Sequence, residues 1–80
     1  MTDKEVITGI DNGDIRAFKV LIANYSADLI TLARYLLKDN QKASDLVESL
    51  LHLIHERKIQ LVEPIHPFLA QIIRAACGYE

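Results

Sequence analysis

The sequence predicts an all-α fold, a small bundle of three to four helices in one domain spanning residues 1–80. Three observations lead there. Apolar residues recur at helical spacing along most of the chain, no alternating strand pattern competes, and short turn-forming stretches divide the periodic segments. Eighty residues make one domain at most. Half of them are hydrophobic, which favours a packed core over disorder.

The first helix is expected from about Asp3 to Ile10. Thr2 and Glu5 stand at capping-box spacing, and Asp11-Asn12-Gly13 supplies a turn. Nothing in the sequence fixes whether so short a helix packs on the bundle. The second helix begins near Asp14, a good N-cap. Phe18, Leu21, Ile22 and Tyr25 form one face of a helix. Asn24 to Ser26 is read as a bend, after which Leu29, Leu32, Ala33, Leu36 and Leu37 resume the stripe. Asp39-Asn40 stops this helix and caps the next.

The third helix is expected from about Gln41 to Arg57, with Leu46, Val47, Leu50, Leu51 and Ile54 as its stripe. Arg57 and Lys58 place positive charge at its C-terminal end, where the helix dipole favours it. Ile59 to Pro67 reads as a connector with a short extended piece at Ile59, Leu61 and Val62. Pro67 is expected to open the fourth helix. Phe68 or Leu69, then Ile72, Ile73 and Ala76, face inward, and Gly78 ends it.

Composition narrows the function classes. The formal net charge is −2, whereas a stand-alone nucleic-acid binder carries a basic excess. One cysteine, Cys77, allows no internal disulfide and fits a reducing cytoplasm. No unbroken apolar run reaches about 18 residues, and the polar N-terminus does not resemble a signal peptide, so no membrane span is expected. His52 and His55 lie three apart beside Glu56, but H-L-I-H-E is not the zincin H-E-x-x-H, and they read as polar-face residues. Cys77 sits among small neighbours and reads as a packing residue. There is no phosphate loop and no nucleophile motif. No enzyme activity, metal or cofactor is expected.

The stretch Gly13-Asp14-Ile15-Arg16-Ala17-Phe18 matches a G-D-x-x-A-F opening. Tyr25, then Leu29, Ala33, Leu36, Leu37 and Asp39, continue the pattern. Ala43-Ser44-Asp45-Leu46-Val47-Glu48-Ser49 stands where A-x-D-L-V-Q-E is usual, and Phe68 to Ala75 resembles Y-L-Y-x-I-A-R-N. Together, over residues 13–76, these resemble region 2 of the extracytoplasmic-function RNA polymerase sigma factors.

That resemblance implies a helical domain that docks on the β′ clamp helices of the RNA polymerase core and contributes to promoter minus-ten recognition. By position, docking falls to Asp45, Leu46, Val47, Glu48 and Ser49, with Leu46 and Val47 partly packed beneath. Promoter DNA contact falls to His66, Phe68, Gln71 and Arg74. An anti-sigma factor is a further implied partner. The chain departs from the family at Glu48 (for glutamine), Ser49 (for glutamate), Ala70 (for an aromatic) and Ala75 (for asparagine). It also ends where the family's basic helix continues, so the resemblance supports docking more than DNA recognition. It implies the core-binding part of a longer sigma factor. The alternative is a sigma-like regulatory module that binds a protein without opening DNA. A plain oligomerising bundle is a third reading.

Overall fold

Thr2 opens the first helix as its spacing predicts. Its hydroxyl accepts from the Glu5 amide at 3.3 Å, and the Glu5 carboxylate accepts from the Thr2 amide at 3.0 Å. In the computed structural model, which describes residues 2–78, this box starts α1 (Asp3–Asp11). The helices α2 (Ile15–Leu37), α3 (Asn40–His55) and α4 (Ile65–Ala76) follow, with no strand among the described residues.

The α1–α2 corner is built from backbone chemistry. The Gly13 amide donates to the Ile10 carbonyl at 3.0 Å and the Asp14 amide to the Gly9 carbonyl at 2.8 Å. This double closure requires a left-handed residue, and Gly13 supplies φ +76°. Asp14 then turns from stop to start, accepting from the Arg16 amide at 2.9 Å.

α2 runs unbroken through Asn24-Tyr25-Ser26, so the expected bend is absent. Helix propensity of single exposed residues is a weak force. The buried row Leu21, Leu29, Ala33 continues across the segment and overrides it. At 23 residues α2 is about 34 Å long, close to the 35 Å long axis of the molecule. It is the shared wall: α1, α3 and α4 all pack against it. By length and composition alone it is long and apolar enough to cross a membrane, although no unbroken apolar run marks it in the sequence. In this fold its buried row lies in the core, while Lys19 and Asp28 are exposed.

α3 starts at Asn40, capped by Asp39, whose carboxylate accepts from the Lys42 amide at 3.0 Å. It ends at His55, two residues before the expected Arg57. Arg57 instead adopts φ 60°, with its amide on Ile54 O (3.0 Å) and the Lys58 amide on Leu53 O (2.9 Å). This repeats the stop of α1 with arginine in glycine's place, a conformation that costs an L-residue roughly 1–2 kcal/mol. The Arg57 guanidinium donates to the Asp11 carbonyl at 3.2 Å, which ties the end of α3 to the end of α1. The connector forms no extended piece paired with another, and Leu61 drops from it into the core.

α4 begins at Ile65, two residues before Pro67. Its N-cap is Pro64, which offers no capping side chain. The cap comes from α1: the Ile65 amide donates to Asp3 Oδ2 at 3.0 Å, and the Tyr25 hydroxyl donates to Asp3 Oδ1 at 2.8 Å. Pro67 sits in the first turn, where its missing N–H has no intrahelical role. The buried row Ile65, Leu69, Ile73 steps by four and continues to half-buried Cys77, so Ala76 is exposed rather than inward. Gly78, at φ +83°, follows the helix end as expected.

Asp3 therefore joins three helices. The Ile65 amide, and after it the Tyr25 hydroxyl, hold its carboxyl below the ordinary value. Burial, and after it the Asp3 carboxylate, push the Tyr25 hydroxyl up. A carboxyl depressed by folding adds stability that is fully present above its unfolded pKa of about 3.9. That stability is lost as pH falls through the folded value. Asp3→Asn is therefore expected to melt at a lower temperature than the parent at about pH 7, with the gap closing towards about pH 2. Thermal denaturation of both proteins at the two pH values checks this; a gap independent of pH would show that the charge is not what caps α4.

Candidate docking face on α2 and α3

The inner face of α3 is fixed by Ala43, Val47, Leu50, Leu51 and Ile54, all buried. Its outer face is fixed by elimination. Asp45, Glu48 and Ser49 are exposed there, and Leu46 is half-buried on the flank. Val47 is different. At 1% exposure it belongs to the core and offers no surface to a partner. It lies on the apolar stripe itself, so its burial follows from the same periodicity that exposes Asp45.

Asp45 accepts a hydrogen bond from Gln41 Nε2 at 2.9 Å, one helical turn away. His52 Nε2 lies 3.1 Å from Glu56 Oε1, and Lys58 Nζ lies 3.8 Å from the same oxygen. His55 lies against Phe18 of α2, ring centroids 4.8 Å apart. The two histidines are thus engaged separately. Among the described residues no group of three His, Cys, Asp or Glu is placed to hold a metal ion. Burial pushes the Cys77 thiol up, the direction opposite to a reactive thiolate.

Beside the outer row of α3 runs a groove of about 270 Å³, lined by Phe18, Ile22, Glu48, Leu51, His52 and His55. A second cavity of about 200 Å³ shares Phe18 and His55 and reaches Ile15, Asp14 and Arg57. Ile22, on the apolar face read from the sequence, is 37% exposed, and Ile15 is 53% exposed. The groove was not anticipated from the sequence. Its signal was present: Ile15, Phe18 and Ile22 form a second apolar row on α2, which widens the stripe beyond what one neighbouring helix covers.

The four residues expected to meet DNA do not share one face. Gln71 and Arg74 stand together, exposed on the outside of α4. His66 is exposed but turns to α2, 3.9 Å from an Asp28 oxygen, with its ring centroid 6.0 Å from that of Tyr25. Phe68 is half-buried and packs against the core beside Leu69. Arg74 is the one Lys or Arg within α4.

No family model matches the chain, and neither a curated protein nor a solved structure is significantly similar to it.

Proposed function

We propose that the chain is a sigma region 2-like binding domain that docks through α3 on the clamp helices of the RNA polymerase β′ subunit. One observation carries the reading: Asp45, Glu48 and Ser49 stand exposed on the outer face of a helix whose inner face is locked in the core. A rigid acidic and polar ridge suits a basic helical partner, because charge complementarity orients docking and suppresses wrong partners. The neighbouring groove, with Phe18 and Ile22, adds apolar area to that ridge. In this role the protein acts by binding, without catalysis or cofactor, in the bacterial cytoplasm, and an anti-sigma factor competes for the same ridge.

Calorimetry against a purified clamp-helix fragment tests this. Saturable one-to-one binding is expected, weakened at least about 10-fold by Asp45→Arg, which is about 1.4 kcal/mol. Unchanged affinity removes the Asp45 face from the reading, and no binding removes the reading.

The contribution to promoter minus-ten recognition rests on Gln71 and Arg74. Capture of a single strand needs aromatic faces for stacking and basic residues for phosphates. Phe68 is half-buried against the core and α4 holds one basic side chain, which favours the second reading: a regulatory module that docks without gripping DNA. Fluorescence anisotropy with a single-stranded minus-ten oligonucleotide separates the two. Binding lost in Arg74→Ala supports strand capture; no binding supports docking alone.

A further inference from the structure

The outer row of α3 has an order that docking on a foreign partner does not require. Asp45, Glu48, His52 and His55 follow at steps of three, four and three, one row along one face of the helix. All four are exposed. Acids occupy the N-terminal half of the row and imidazoles the C-terminal half. The row is also symmetric in sequence about Leu50: Glu48 and His52 lie two positions either side, Asp45 and His55 five.

A surface that carries a group and its complement at equal distances from one point is self-complementary under a two-fold rotation, the condition for an isologous interface. We propose that a second copy of this chain covers the face, as an antiparallel pair of α3 helices. Their two-fold axis crosses at the level of Leu50. Asp45 then meets His55 of the other copy, and Glu48 meets its His52. An imidazole N–H donates to a carboxylate in either charge state, so the pairing does not need a protonated histidine. Steps of three and four are also the spacing at which helices interdigitate side by side.

The apolar residues beside the row fit the same arrangement. Ile22 lines the groove with Glu48 and His52, at the centre of the pairing, and Ile15 lies at its end near His55. Both are exposed in the single chain. His52 already lies 3.1 Å from Glu56, and His55 shares its cavity with Asp14 and Arg57. The other copy's carboxylates therefore compete with these contacts, which points to a weak, concentration-dependent dimer. Self-association does not rest on the polymerase reading. Where both hold, the dimer hides the docking ridge.

Sedimentation equilibrium of the chain alone, over micromolar to millimolar concentrations, tests the proposal. A monomer–dimer equilibrium is expected, weakened at least about 10-fold by Glu48→Lys. The double variant Glu48→Lys with His52→Glu restores the complement across the two-fold axis and is expected to recover dimerisation. Ile22→Glu, at a position already exposed, is expected to abolish it with helicity unchanged by circular dichroism. A monomer at every concentration overturns the proposal. So does a dimer that ignores Glu48→Lys, or one that the double variant fails to restore.

Discussion

Leu21→Ala is expected to lower stability by about 3–5 kcal/mol, as deletion of a fully buried leucine leaves a cavity in addition to the lost transfer free energy. Leu21 is 0% exposed and lies on α2, the wall that the other three helices share. A chain of this size has roughly 4–12 kcal/mol in all, so the variant is expected to populate the unfolded state visibly. Urea denaturation followed by circular dichroism measures it: the midpoint falls while the slope is kept. Ile22→Ala is the control. One position on but 37% exposed, it is expected to cost much less. Equal losses at the two positions would mean that α2 does not present its residues as described.

Gly9→Ala is expected to destabilise by about 1–3 kcal/mol, the range of an overpacked core. In isolation alanine gains about 1 kcal/mol over glycine inside a helix. The tertiary contact reverses that sign. A Cβ at Gly9 meets the Cβ of Ala17, which is itself fully buried at the α1–α2 contact. The two helices approach as closely as one methyl group between them allows. Moving that methyl across is the sharp test. Adding Ala17→Gly to Gly9→Ala removes the clash and cancels the propensity terms, so the double variant is expected to return close to the parent. The double-mutant cycle reports the coupling directly. Additive losses would show that the two positions do not touch.

Local signals were the legible ones. The Thr2–Glu5 box, the Asp14 and Asp39 caps and the glycine stop at Gly13 all act within a few residues of themselves. Reading them from sequence therefore needs no knowledge of the fold. The errors fall where the determinant is distant. α4 starts at Ile65 because its cap is Asp3, which no local pattern around Pro64 and Pro67 reveals. Arg57 holds a glycine-like conformation beside Asp11 of another helix. Asn24 to Ser26 stay helical because tertiary burial on either side outweighs their weak local preference. On α3, Asp45, Glu48 and Ser49 came from the resemblance by position, and all three stand exposed opposite the buried stripe. The α2 groove beside them depends on how far α3 covers α2, which only packing decides.

Three residues of the G-D-x-x-A-F stretch have a structural task in this fold. Gly13 ends α1, Asp14 caps α2, and Ala17 seats the close approach to Gly9. They account for a helical corner whatever the protein binds. The functional reading therefore stands on the outer face of α3, where Asp45, Glu48 and Ser49 are exposed.

The bond between Asp3 and Ile65 spans 62 positions. During synthesis the carboxylate leaves the ribosome long before the amide it must accept, and the Tyr25 hydroxyl is available in between. The contact through Asp3 Oδ1 needs only α1 and α2, whereas the one through Oδ2 needs α4 as well. The Asp3–Ile65 contact closes the longer loop of the two and carries the larger closure entropy. One carboxylate near the start of the chain thus makes the cap of α4 depend on α1 and α2 already being packed together.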